Sequence, residues 1–459
     1  MPERKRMFLL RIAFLLSLVM PLGLTSDAQQ QATSSKAQAP QGRHTIRDLQ
    51  PTVLLISLDG FRYDYPEKAA TPNLHRLMAG GVRAERIVPV FPTKTFPTHY
   101  SMVTGRYVQN HGIVANTMWD PDIRARFSLS ARDQVQDARW WGGEPIWVTA
   151  VKQGQKAATL FWPGSEAPIQ GVRPTYWRAY DAGMTHDERV RQVLSWLDLP
   201  VKERPTFICM YFSDTDDTGH AHGPDSPEVA RSIAELDRTI GDLLDGLRNR
   251  GILDQLNIIV AADHGMAATS PDRLIILDDL IDLEDAEILE VTPLLTLRSR
   301  SGKDDALYEE LVKARRPMSV YRKIELPERW RVRKNQRTTP IVAVADEGWT
   351  ITTRSWLRKH PETGRGGTHG YDNSLVSMSG VFVAHGPAFA RGKRVGQLRG
   401  VDLYALMAHI LRLAPARNDG SLLEMAPVLA RHAQLRQRSL PARSKPAVRS
   451  QTARVASVR

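Results

Sequence analysis

The sequence predicts an α/β layered fold, a mostly parallel central sheet flanked by helices, with a smaller lobe inserted late in the chain. Three observations predict it. Short apolar runs rich in β-branched residues recur, helical patterns alternate with them, and the runs stop near an acid or a histidine. Unbroken apolar strands are buried on both faces, as in parallel sheets covered by helices. In such sheets ligands gather beyond the carboxyl ends of the strands.

Taken in order, residues 1–28 open with Arg4, Lys5 and Arg6, run apolar from Met7 to Leu24 except at Arg11 and Ser17, and end in Ser26-Asp27-Ala28. That is the pattern of a secretory signal, so a periplasmic or secreted protein is expected, with membrane contact only if the segment stays uncleaved. Residues 29–44, rich in Gln, Ala and Ser, read as a linker. A catalytic domain is expected over 45–425. Its strongest strands are Thr52 to Leu58, Phe207 to Phe212 and Ile258 to Ala262; Ala157 to Phe161 and Gly380 to Ala384 are weaker examples. Helical patterns cover Thr71 to Gly80, Thr98 to Gly105, Asp187 to Leu197 and Pro227 to Arg250, the last closing at Gly251. Residues from about 268 to 366 break the alternation and read as an inserted lobe that overhangs the site.

The net charge of +12 suggests a polyanion partner until its distribution is read. Much of it lies in a basic tail over 426–459, which from Arg431 onward carries no acid. The body between signal and tail is nearly neutral, so no sequence-specific nucleic-acid binding is expected. Cys209 is the single cysteine, which excludes an intramolecular disulfide. It falls in an apolar run and reads as a small buried hydrophobe.

The residues that carry chemistry sit at strand ends and beside glycines. Asp59 follows a strand directly and precedes Gly60; Asp263 and His264 follow another and precede Gly265. In the segment Asp216 to Pro224, read as a loop, Asp216 and His220 have the spacing of a chelate, and His222 reads as a supporting group. His369 lies in the glycine-rich stretch Arg365 to Tyr371. Mixed carboxylate and imidazole ligation suits zinc, with manganese or iron as alternatives. Thr95, between Pro92 and Pro97, precedes a helical segment, where free N–H groups favour an anion. An aliphatic hydroxyl becomes a useful nucleophile at neutral pH once a metal or base takes its proton.

The runs LISLDGFR (55–62), PTKTFPTHYSMVTG (92–105), HGIVAN (111–116), DTDDTGHAHGP (214–224), ADHGM (262–266) and GTHGYDN (367–373) together resemble the nucleotide pyrophosphatase/phosphodiesterase family of the alkaline phosphatase superfamily, in its single-domain bacterial form. The resemblance implies an alkaline phosphatase-like fold and two zinc ions. Asp216, His220 and His369 would hold one; Asp59, Asp263, His264 and the nucleophile Thr95 would hold the other. It implies that Asn116 and the backbone N–H of Phe96 hold a phosphate oxygen, and that Phe96, Leu129 and Tyr211 line a nucleobase pocket. The expected substrate is a nucleotide or another small phosphodiester, cleaved to nucleoside monophosphates through a covalent phospho-threonine. A superfamily relative acting on phosphonates or choline-type diesters is the alternative. Thr98 departs from the family pattern, which usually has Asn there, and leaves the fine positioning of this loop open.

Overall fold

Val53–Leu58 forms the middle of an eight-stranded sheet in the computed structural model, which describes residues 45–431 and 433. The expected signal, the linker, and the tail beyond Arg431 apart from Ala433 lie outside the described residues. Val53 stands in register with Phe207 of Phe207–Phe212 on one side and with Asn257 of Asn257–Ala261 on the other, both pairings parallel. Ala157–Leu160 and Tyr176–Arg178 extend the sheet beyond Phe207–Phe212. Phe382–His385, Val82–Ala84 and Lys393–Val395 extend it beyond Asn257–Ala261.

The three central strands are buried at every position because apolar layers cover both faces of the sheet. Leu55, Cys209 and Ile259 face one layer; Leu54, Ile56, Ile208 and Val260 face the other. Helix Pro227–Asn249 seals the second layer with Ile233, Leu236, Ile240, Leu243 and Leu247. Pro227 begins it, and the Ser226 hydroxyl accepts the Val229 N–H at 3.2 Å, satisfying one of the donors a helix start leaves open. Helix His186–Leu197 starts with a capping box between Thr185 and Glu188.

Two elements depart from their sequence readings. Phe382–His385 is a strand of the sheet but runs antiparallel to both neighbours. An apolar run reports burial on two faces and carries no information about direction, which the connecting chain sets. The segment read as a loop around Asp216 is a helix, Asp214–His222. Its Asp, Thr and Gly content suggests a turn, yet three acids in its first turn and two histidines in its last favour the helix dipole, and Gly219 lets the backbone approach Met266.

Residues 286–345 build a second sheet of four antiparallel strands in the order Ala286–Glu290, Leu294–Ser299, Ile341–Ala345, Met318–Arg322. Helix Asp304–Lys313 packs on it through Leu307 and Leu311. Arg337 clasps this region to the main body: its guanidinium pairs with Asp120 and donates to the carbonyls of Gly112 at 2.8 Å and Trp140 at 2.7 Å.

Candidate active site

Asp59 leaves the central strand and Asp263 leaves its neighbour, so both carboxylates emerge at one end of the sheet. Gly60, at φ +62°, turns the chain in a conformation that favours glycine, and its N–H donates to Asp263 Oδ1 at 3.2 Å. Gly265 is needed for a different reason than backbone relief. A Cβ there would sit 2.1 Å from the Ser377 carbonyl oxygen, so the strand end lies flush against the loop ahead of Phe382.

Three histidines meet these acids in a common orientation. His220 Nδ1 donates to the Gly367 carbonyl at 2.9 Å, His264 Nδ1 to the Gly265 carbonyl at 2.9 Å, and His369 Nδ1 to the Thr93 carbonyl at 2.7 Å. Each ring therefore carries a proton on Nδ1 and turns Nε2 toward the acids. His264 Nε2 lies 3.0 Å from Asp263 Oδ2 and 3.3 Å from Asp59 Oδ1. Asp216 Oδ2 is 3.4 Å from His220 Nε2, and its Oδ1 is 3.6 Å from His369 Nε2. Asp216 and His220 are four apart on helix Asp214–His222, which puts both on one face.

The electrostatics are those of a cation site. Burial, then Asp263 and Asp216, push the Asp59 carboxyl well above the usual range, although Tyr211 donates to its Oδ2 at 2.6 Å. Burial would also raise Asp263, but His264 and His99 outweigh it and hold that carboxyl well below. Burial lowers His369 strongly, helped by His264 and His220. Asp59 Oδ1, Asp216 Oδ1, Asp263 Oδ2 and His264 Nε2 are buried without a hydrogen-bond partner. Unpartnered buried polar atoms are costly, and four converging ones need a bound group. Donor atoms about 3.3 Å apart are what tetrahedral zinc with bonds of ~2.0 Å requires, so the residues present fit the metal.

Thr95 is the first residue of helix Thr95–Thr104 and is half-buried at the edge of a cleft of about 240 Å³. Asp59, Asp216, Phe96, Leu129 and Tyr211 line the same cleft. Two expected contacts differ. The Phe96 N–H donates to Asn116 Oδ1 at 3.0 Å and is not open to a ligand; it orients Asn116, whose amide NH2 makes no hydrogen bond among the described residues. The free first-turn donor is then Thr95 N–H. Tyr211, 9% exposed, shows the cleft little of its ring because its hydroxyl is committed to Asp59.

Four cleft or near-site residues escaped the sequence reading. Tyr180, 41% exposed, lines the cleft beside Tyr211, with ring centroids 6.3 Å apart. Arg132 and buried Glu166 form an ion pair on its wall. His99 is buried below Thr95. His99 lies in the run PTKTFPTHYSMVTG but has no role assigned there; no short motif marks the other three, and only the fold brings them here. His222, read as a supporting group, is exposed at the end of its helix, and no contact to the site is recorded for it. Lys94 turns away from the cleft: Nζ donates to the Thr292 carbonyl at 2.9 Å and lies 3.6 Å from Glu290 Oε1.

The family model for type I phosphodiesterase / nucleotide pyrophosphatase matches residues 53–372, which spans every residue of this cluster. The chain belongs to this family. Family members with similar sequences include human ectonucleotide pyrophosphatase/phosphodiesterase family member 5, 37% identical over 84% of this chain and 80% of that protein. Mouse bis(5'-adenosyl)-triphosphatase enpp4 is 40% identical over 81% of this chain and 80% of its own length. Venom phosphodiesterase of Naja atra is 39% identical over 85% of this chain, which spans 47% of that longer protein. The solved structure of murine family member 5 superposes with a TM-score of 0.79 at 37% identity, covering 83% of this chain and 100% of that one. An inactive variant of the same murine protein has been solved in complex with AMP. The fold of this family member is alkaline phosphatase-like, and the chain is a hydrolase of the phosphodiesterase/nucleotide pyrophosphatase type.

Proposed function

We propose that this chain is an exported two-zinc enzyme that cleaves nucleotide phosphodiester or phosphoanhydride bonds to nucleoside monophosphates, with Thr95 as the covalent nucleophile. The observation that carries the reading is the set of three histidines, each pinned through Nδ1 to a backbone carbonyl, turning Nε2 onto unpartnered carboxylate oxygens beside a helix-initial threonine. Asp216, His220 and His369 would hold one ion; Asp59, Asp263 and His264, with Thr95, would hold the other. When bound, such ions favour loss of a hydroxyl proton and offset charge on a departing oxygen.

Thr95 Oγ attacks phosphorus, the bond to the leaving group breaks, and phospho-threonine forms; water then cleaves the Oγ–phosphorus bond and releases the monophosphate. Asn116, held through its carbonyl by Phe96 N–H, points its amide donors toward phosphate oxygens, with Thr95 N–H beside it. Phe96, Leu129 and Tyr180 offer apolar and aromatic surface for a nucleobase, consistent with the AMP complex of the murine relative. Lys94 and Arg132 are both paired with acids, so among the described residues lining the cleft no unpaired cation rewards the second negative charge of a monoester. A diester is preferred.

Hydrolysis of thymidine 5'-monophosphate p-nitrophenyl ester against p-nitrophenyl phosphate tests this. The diester is expected to turn over faster, Thr95→Ala to lose at least about a thousandfold, and chelation to abolish turnover until zinc returns. Preference for the monoester, or full activity in Thr95→Ala, would overturn the reading.

A further inference from the structure

His99 stands among the ligands but its hydrogen bonds differ from theirs. The ring has no solvent exposure. Nδ1 lies 2.9 Å from the Thr95 carbonyl oxygen and 3.2 Å from Asp263 Oδ2. Both are acceptors, so the proton of His99 is on Nδ1. Nε2 lies 2.7 Å from the Ser57 hydroxyl. In the three ligand histidines Nδ1 meets a carbonyl and Nε2 is left for the metal; in His99 both nitrogens are spent on the protein. His99, Asp59 and Asp263 are close enough to hold an ion together, yet the His99 atom nearest Asp263 is the one that carries the proton.

The orientation of the ring is itself enforced. Trp162 packs edge-on at 5.0 Å and Tyr211 at 5.4 Å between centroids, and Trp162 Nε1 donates to the His99 carbonyl at 3.2 Å. His99 lies one helical turn beyond Thr95, so the bond to the Thr95 carbonyl ties the first turn of the nucleophile helix to its own interior. The 3.2 Å approach of the same nitrogen to Asp263 Oδ2 sets that turn against the strand end.

We propose that His99 is a positioning residue: its Nδ1–H, bonded to the Thr95 carbonyl and held 3.2 Å from Asp263 Oδ2, sets the nucleophile turn at a fixed distance from a carboxylate proposed to bind metal. Ser57, in the central strand, anchors the far side of the ring. This rests on the proposed roles of Thr95 and Asp263, and it adds a residue outside the ligand set. Removing the ring takes its polar nitrogen from beside Asp263 and leaves the nucleophile turn free to drift. Partners of this kind typically change metal affinity or rate by about 10- to 100-fold.

The test compares His99→Leu, His99→Asn and Ser57→Ala, using zinc affinity by chelator competition, kcat and KM on the p-nitrophenyl diester, and thermal melting. Asn places an amide donor where Nδ1 stood; Leu fills the space without one. His99→Leu is expected to lower kcat and zinc affinity by about tenfold or more with KM nearly unchanged, and His99→Asn to recover most of both. Ser57→Ala is expected to give a smaller loss in the same direction. Unchanged kcat and zinc affinity in His99→Leu overturn the proposal, as does equal loss in Leu and Asn variants, which marks a packing role. If His99→Leu does not fold, a normal kcat and zinc affinity in Ser57→Ala, together with a failure of His99→Asn to retain activity, overturn it equally. Zinc affinity is read without turnover, so an inactive wild type would contradict the proposed function and leave this measurement standing.

Discussion

At the residue scale, Tyr211 shows how a hydroxyl can change the meaning of an aromatic ring. The sequence reading has it lining a base pocket; the structure makes it the donor to Asp59 Oδ2, on a carboxyl that burial and two neighbouring acids already strain. Tyr211→Phe keeps the ring and deletes that bond. It is expected to lower kcat about tenfold or more with little change in KM, whereas Tyr180→Ala is expected to raise KM for a nucleotide diester severalfold. Steady-state kinetics on the two variants separates the roles, and an unchanged kcat in Tyr211→Phe would return the ring to the pocket. The acids and histidines that meet at the site were legible because their close spacing and the glycines beside them stand out in the sequence. The roles of His99 and Tyr180 were not, because a positioning contact or an open ring face depends on neighbours 31 to 164 positions away, such as Ser57, Asp263 and Tyr211.

At the element scale, the run HGIVAN is explained by its first residue as much as its last. His111 is buried; it accepts the Ile113 N–H on Nδ1 at 3.1 Å and its Nε2 meets the Ser101 hydroxyl at 2.8 Å. This pins the segment leading to Asn116 against helix Thr95–Thr104. Burial, then Arg106 and Arg337, lower the His111 pKa to about 3. The folded value lies below the unfolded one, so stability is intact above the ordinary histidine range. It falls with pH from about 6.5 toward 3, at up to about 1.4 kcal/mol per pH unit from this residue. Denaturant melts of wild type and His111→Gln at several pH values in that window are expected to show a shallower slope in the variant; parallel slopes would remove His111 as the cause. The helices and buried strands of the sheet were readable from caps and apolar runs. The helix Asp214–His222 was not, since its residues favour turns in isolation and only the dipole and the contact with Met266 recover it.

For the whole molecule, the acids that ring the site set a cost on losing the cations. Asp59, Asp216 and Asp263 face one another in a nearly dry environment. Ligands that bind only the folded state stabilise it, by about 4 kcal/mol per site at a thousandfold excess over Kd. Chelation is therefore expected to lower Tm by at least several degrees and zinc to restore it, readable by differential scanning fluorimetry; an unchanged Tm would mean the cluster tolerates its own repulsion. The overall α/β plan was legible, whereas the antiparallel strand Phe382–His385 was not, because direction belongs to the path of the chain. That path has one more consequence. The side chains proposed to bind metal are spread from Asp59 to His369, and the last of them is pinned by Thr93, near the beginning. The group formed by Asp216, His220 and His369 is complete only once His369 has been made and has docked against the segment at Thr93. With the proposed ions bound there, the metal supply of the compartment where folding finishes becomes part of the enzyme's specification.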